Sequence, residues 1–287
     1  MTPTPHPTTD DLHAAVARFH AEAVPHAFHT GRYRLRYRTW GVGPTVVFVH
    51  GMCDTTRSFA MQMAALADHG FRCVGYELAN GLDDDAVLGM YRHHHFGDDL
   101  IALLDHLNLD TADVQGSSFG STVTLSAVAR YPDRFRRVVL QGGFPRRPFL
   151  RIERGLARLA RYWGGRMHQL PIRNRVMEKF EKQQFLGCPD EVFRFLIECS
   201  GETPIRAAAL RGLMIDKLDL RPKLGGIRQP VLMIGGDRDA LVPRPLEAEL
   251  ERMLPDVRRV EFAPCGHYPQ YTVPRPMADA MAEFLKR

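Results

Sequence analysis

The sequence predicts an α/β fold, with a mostly parallel central sheet, helices on both faces and one inserted helical cap. Three observations carry this. Short β-branched and aromatic runs alternate with segments of helical period along most of the chain. A Gly-x-Ser-x-Gly turn stands between one such run and the helix that follows it. From Phe144 to about residue 216 the runs stop, and only helical patterning and turns remain.

Taken in order, residues 1–10 hold three Pro and four Thr and cannot bury a core, so a polar tail is expected there. Leu12, Val16 and Phe19 after Asp10 and Asp11 predict a short helix, which makes 1–31 a tail plus helix. Tyr33, Leu35, Tyr37 and Thr39 alternate with Arg as in a half-exposed strand, and Gly41-Val-Gly-Pro44 makes the turn. Thr45–Val49 is continuous and apolar, as in a buried parallel strand. Further strands are expected at Phe71–Tyr76, Ala112–Gln115, Arg137–Leu140, Val231–Ile234 and Arg259–Phe262. Helices are expected near 57–69, 96–108, 119–131 and 274–286. The core therefore comes in two parts, 32–144 and 217–287, with the helical insertion, 145–216, between them.

The composition excludes several classes. With 287 residues, 45% apolar and 25% charged, the chain is neither collagenous, disulfide-dense nor disordered. A net charge of +5 is too mild to indicate nucleic acid as a partner. The five cysteines are scattered, odd in number and without a C-x-x-C pair, which points to a reducing compartment. No run approaches the ~18 apolar residues of a membrane span, and residues 1–11 lack a hydrophobic signal region. A cytoplasmic protein is expected.

Gly116-Ser-Ser118-Phe-Gly120 is the most informative segment. Random placement of the chain's Gly and Ser would produce the pattern only about 0.04 times. A nucleophile on a sharp turn needs close backbone packing on either side, which a Cβ would obstruct. Ser118 would project above the sheet, with the next N–H facing a developing oxyanion. The plain alternative is a Gly/Ser loop without chemistry. A serine hydroxyl also needs a base, and the base an orienting acid. Asp237 and Asp239 follow the Val231–Ile234 run, and His267 follows Arg259–Phe262. All three lie past the carboxyl ends of expected strands, where open α/β sheets bind ligands. Either aspartate could instead be a turn residue.

Together these segments resemble the α/β-hydrolase fold superfamily over residues 32–287, in particular its esterase- and lipase-like serine hydrolases with a helical lid. The matching motifs are His50-Gly51 after a strand, Gly-Ser-Ser118-Phe-Gly, Pro230-Val-Leu-Met-Ile-Gly-Gly-Asp-Arg-Asp239-Ala-Leu-Val-Pro, and Gly266-His267-Tyr-Pro. The segment Asp98-Asp-Leu-Ile-Ala-Leu-Leu-Asp105 fits as well. The resemblance implies Ser118 as nucleophile, His267 as general base and acid, and Asp239, rather than Asp237, as its carboxylate. It implies an oxyanion hole from the main-chain N–H groups of Met52 and Phe119. Two departures stand out. Ser121 replaces the second glycine usual after the motif, and Tyr76–Asp85 replaces the usual acidic–Gly turn.

The implied reaction is hydrolysis of a small-molecule carboxylic ester through an acyl-enzyme on Ser118, with no cofactor and no metal. Serine at 118 argues against dehalogenase and epoxide hydrolase chemistry, where the resemblance would require Asp. Thioesterase, lactonase, perhydrolase and carbon–carbon bond hydrolase remain open. So does a ligand receptor on the same fold with little turnover.

Other constellations carry less. His93-His94-His95 is expected as a solvated loop or helix start, because consecutive helical residues point about 100° apart. Cys265 and Cys53 are expected as small loop residues. Residues 145–185 hold eleven basic and three acidic residues, a local charge of +8 in a chain of +5. Ile152, Leu156, Leu159 and Trp163 share one side of a helix there, and Arg151, Arg154, Arg158 and Arg161 the other. A lid helix packing its apolar side on the core and solvating its Arg side is the simplest expectation. The functional alternative has an apolar face lining an acyl pocket and a basic face attracting an acidic carrier or an anionic surface.

Overall fold

The computed structural model describes residues 4–287, so the first three residues of the expected tail lie outside it. The chain begins with α1 (Thr9–Glu22), and Thr8 caps it. The Thr8 hydroxyl accepts from the Asp11 amide at 3.1 Å, while the Asp11 carboxylate accepts from the Thr8 amide at 2.8 Å. Then follow β1 (Val24–His29), β2 (Arg34–Trp40), β3 (Thr45–Val49), α2 (Ala60–Asp68), β4 (Arg72–Tyr76), α3 (His93–His106), β5 (Ala112–Ser117), α4 (Phe119–Arg130) and β6 (Phe135–Gln141). After the helical interval come β7 (Val231–Gly236), α10 (Arg244–Met253), β8 (Val257–Phe262), α11 (Pro269–Thr272) and α12 (Pro274–Leu285).

The eight strands lie in the order β1-β2-β4-β3-β5-β6-β7-β8. β2 is antiparallel to both β1 and β4, and every pairing from β4 to β8 is parallel. Strand side chains alternate between faces, and both faces are covered. Val46 and Phe48 of β3 join α1, α2 and α12 on one side, while Val47 and Val49 join α3, α4 and α10 on the other. β1 was not expected from the sequence. Most of its residues are exposed, so it has no apolar alternation, and only the ladder to β2 defines it.

Between β6 and β7 the chain forms α5 (Arg151–Ala160), α6 (Arg173–Phe180), α7 (Asp190–Gly201), α8 (Ile205–Lys217) and α9 (Arg221–Leu224), and no strand. Here one expectation is overturned. The apolar side of α5 does not pack on the core. Ile152, Leu156 and Leu159 are 63–73% exposed. Arg154 faces inward instead, with Nε 2.6 Å and Nη2 2.8 Å from the carboxylate of Asp216 on α8. That carboxylate also accepts from the Phe149 amide at 2.9 Å. A bidentate, hydrogen-bonded ion pair fixes which side of the helix turns in, and the leucines are left outside.

Candidate active site

The serine turn has the steric origin the sequence suggests. Ser118 joins β5 to α4 with φ +54° and ψ −112°, a left-handed conformation for a non-glycine residue. The turn is possible because its flanking glycines carry no Cβ. One at Gly116 would sit 2.5 Å from the Gly120 carbonyl oxygen, and one at Gly120 would sit 2.0 Å from the Val49 oxygen. Ser121 fits where a second glycine is usual because its hydroxyl donates to the carbonyls of Gly116, at 2.7 Å, and Gln141, at 3.0 Å.

His267 follows β8, and Asp239 follows β7, at the carboxyl end of the sheet. His267 Nδ1 lies 2.7 Å from Asp239 Oδ2, with both side chains buried. The other oxygen of Asp239 accepts from the amides of Leu241 and Val242, at 2.9 and 2.8 Å, so the acid is fixed before it meets the imidazole. Asp237 is exposed and instead accepts from the Cys265 amide at 2.8 Å, bracing the loop that leads to His267. Burial opposes the imidazolium form of His267. The Asp239 carboxylate outweighs it, with Glu181 and Glu247 adding to it, and the pKa lies above the ordinary histidine value.

Ser118 and His267 share a neighbour in Gln141-Gly142. The Ser118 amide donates to the Gln141 carbonyl at 2.8 Å, and a Cβ on Gly142 would lie 2.6 Å from His267 Cε1. No hydrogen bond joins the Ser118 hydroxyl to His267 among the described residues, a common looseness in unliganded sites. Opposite lies the His50-Gly51 loop, where a Cβ on Gly51 would be 3.9 Å from Ser118 Cβ. Among the described residues the Met52 and Phe119 amides donate to no protein acceptor. Phe119 opens α4, whose first-turn N–H groups have no helical partner. His50 itself is buried and neutral. Its Nδ1 lies 2.9 Å from the Gly51 oxygen and its Nε2 accepts from the Leu78 amide at 3.0 Å, while burial pushes its pKa down to about 3.

Several residues of the site escaped the sequence reading. Gln141 accepts from the Ser117 hydroxyl and donates to the His267 carbonyl at 2.6 Å. Gln184, just past α6, accepts from the His267 amide at 2.8 Å and donates to Glu181 at 2.7 Å. Glu181 also accepts from the Tyr268 hydroxyl at 3.0 Å. The position of Gln141 at the carboxyl end of β6 could have flagged it. Nothing local marks Gln184.

Cys265 and Cys53 are thiols pushed up by burial to about 12 and about 11, consistent with small loop residues. His93 starts α3, as expected, and is half-buried. Its Nε2 lies 2.9 Å from the Thr122 hydroxyl, and burial pushes its pKa down to about 4. His94 and His95 have a carboxylate beside them, because Asp98 on the next helical turn brings an oxygen within 4.8 Å of a nitrogen of each. Asp98 is already engaged by Arg130 at 3.1 Å and the Tyr131 hydroxyl at 2.9 Å.

This architecture is that of an α/β hydrolase. A sequence profile of the alpha/beta hydrolase fold matches residues 44–274, and the chain belongs to that family. It is 27% identical to 2-(acetamidomethylene)succinate hydrolase of Mesorhizobium japonicum, over 96% of this chain and 99% of that protein. It is 25% identical to 3-oxoadipate enol-lactonase 2 of Acinetobacter baylyi, over 71% of this chain and 76% of the other. Its fold is similar to that of a thermophilic esterase from Thermogutta terrifontis. The TM-score is 0.79 at 21% identity, over 92% of this chain and 98% of the esterase.

Proposed function

We propose that the protein hydrolyses a carboxylic ester of a small molecule through an acyl-enzyme on Ser118. The observation that carries this is the fixed Asp239–His267 pair standing beside a strained serine turn that two unpaired amides flank. Ser118 Oγ attacks the carbonyl carbon as His267 Nε2 takes its proton, and the C=O π pair moves onto oxygen. The Met52 and Phe119 amides receive that oxyanion. As the tetrahedral adduct collapses, His267 returns the proton to the leaving alkoxide. Water, deprotonated by the same imidazole, then attacks the acyl-serine, and the second collapse expels Ser118 and frees the acid. Asp239 keeps Nδ1 protonated and stabilises the imidazolium throughout. None of these steps calls on a cofactor or metal. The helical segment 145–216 acts as a cap over this chemistry, contributing Glu181 and Gln184 to it.

A lactone is a cyclic ester and opens by the same attack. The similarity to an enol-lactonase favours it as a second reading. Thioesters, peracid formation and carbon–carbon cleavage use the same nucleophile and differ in pocket shape. No described helix is long and apolar enough to cross a membrane. The five free thiols suit the cytoplasm.

Labelling with a fluorophosphonate probe tests the nucleophile. Wild type is expected to label covalently, and Ser118→Ala is expected neither to label nor to turn over p-nitrophenyl esters. Wild-type protein that stays unlabelled and turns over no ester would favour a ligand receptor. A panel of esters, thioesters and lactones varied in acyl length then assigns the class.

A further inference from the structure

The outward side of the α5 region is apolar and edged with positive charge. Leu150, Ile152, Leu156, Leu159, Tyr162 and Trp163 are 61–76% exposed, and Ile172, Val176 and Phe180 on and beside α6 are 45–65% exposed. Isolated exposed leucines need no explanation, but six large apolar residues within fourteen positions of one helix and its flanking residues do. This outward turn is built in. The bidentate Arg154–Asp216 pair holds the polar side of α5 against α8, and breaking it would leave Asp216, only 6% exposed, without its partner.

At 100° per residue, Ile152, Leu156 and Leu159 fall in one arc of α5, Arg151 and Arg158 lie along one edge of it, and Trp163 follows three residues past the helix end. Arg151, Arg158, Arg175 and Lys179 are all exposed. A helix with an apolar face, cationic flanks and aromatic residues at its end suits the boundary between lipid headgroups and acyl chains. The charge adds a second argument, because Arg151, Arg158, Arg175 and Lys179 have no salt-bridge partner among the described residues, whereas Arg154, Arg166 and Lys182 are held by Asp216, Asp83 and Asp190. Two copies meeting through this face would bring like charges together, whereas an anionic lipid surface satisfies both the apolar arc and its cationic rim.

We propose that α5 and the turn after it form a docking surface for an anionic lipid bilayer, with Ile152, Leu156, Leu159 and Trp163 entering the interface and Arg151 and Arg158 meeting the headgroups. The same segment leads directly to the catalytic base. Past α6, Glu181 accepts from Tyr268, and Gln184 accepts from the His267 amide. Docking there sets the cap, and the site beneath it, against a surface where acyl substrates reside.

Co-sedimentation with vesicles tests this without requiring turnover, so its failure is distinguishable from failure of the esterase reading. Vesicles of about one-third phosphatidylglycerol in phosphatidylcholine are compared with phosphatidylcholine alone. Wild type is expected to bind the anionic vesicles at low salt, to be released by added salt, and to leave neutral vesicles unbound. The double variant Leu156→Glu/Leu159→Glu is expected to lose at least roughly tenfold in vesicle affinity, and Arg151→Glu/Arg158→Glu a similar factor. Both should keep the wild-type melting temperature and probe labelling, since these side chains are exposed. Absence of binding to anionic vesicles, binding unchanged in both variants, or equal binding to neutral vesicles would overturn the proposal. So would a dimer that dissociates in Leu156→Glu and never sediments with lipid.

Discussion

Gln184 Oε1 accepts a hydrogen bond from the backbone N–H of His267 at 2.8 Å. The contact ties the helical segment between β6 and β7 directly to His267, the proposed general base. It is close-fitting, since a Cβ on Gly266 would lie 2.4 Å from Gln184 Cβ. Gln141 holds the carbonyl of the same histidine from the sheet. The main chain of His267 is thus clamped from both layers, while Asp239 orients its ring.

Removing the clamp should act on the chemical step. Gln184→Ala frees the His267 amide and lets the imidazole drift relative to Ser118, and a misplacement of about 1 Å costs up to ~100-fold in rate. The expected result in steady-state kinetics is a fall in kcat of that order with little change in KM. An unchanged kcat would show that Asp239 and Gln141 suffice to place the base.

The pH profile reports on Glu181. As general base His267 must be neutral, so activity rises as pH climbs through its pKa. Asp239 is the principal charge raising that pKa, and Glu181 contributes as well. Glu181→Gln removes one of these negative charges and is expected to move the acid limb of kcat/KM to lower pH. Folding should be little affected, because the amide can still accept from Tyr268. A limb that stays in place would mean that Glu181 positions Gln184 and Tyr268 without acting on the imidazole electrostatically.

Steric demand at the serine turn predicts a stability effect. The Cβ of Gly120→Ala would lie 2.0 Å from the Val49 carbonyl oxygen and 2.8 Å from that of His50. Both are backbone atoms at the end of β3, so relief requires shifting the strand. The expected cost is about 3 kcal/mol or more in urea unfolding, at the upper end for single substitutions. Gly155→Ala on α5, with nothing within 4 Å of its new Cβ, is the control and should be neutral or slightly stabilising.

The legibility of this site in the sequence follows from how far each contact reaches. The serine turn is local, and the positions of Asp239 and His267 just past strand ends follow from the sheet. Gln141 and Gln184 act on the backbone of a residue 126 and 83 positions away, and an amide side chain leaves no periodic trace. The pattern of α5 was readable but its orientation was not. Amphipathic spacing says that two sides differ, whereas Asp216, 62 residues beyond Arg154, decides which one turns inward. β1 left no signal because its exposed residues carry no alternation.

A last expectation concerns Asp54, two residues past Met52 in the loop facing Ser118. Its carboxyl is buried, and its Oδ1 accepts from the Tyr271 hydroxyl and the Thr55 amide, each at 3.1 Å. Burial is the dominant influence and pushes its pKa up to about 7 from an ordinary 3.8. With the folded pKa raised, the folded state holds a proton that the unfolded chain has already released across that interval. The stabilisation is therefore complete below the unfolded value and is lost as pH rises through about 7. Asn at this position keeps an oxygen acceptor and never ionises. Urea unfolding should accordingly find Asp54→Asn gaining on wild type as pH is raised from about 4 to about 8, by up to ~4 kcal/mol. The contribution of His267, which has the same sign, is common to both proteins and cancels in the difference. A difference that stays flat with pH would mean that Asp54 ionises at its ordinary value and that the loop admits water to it.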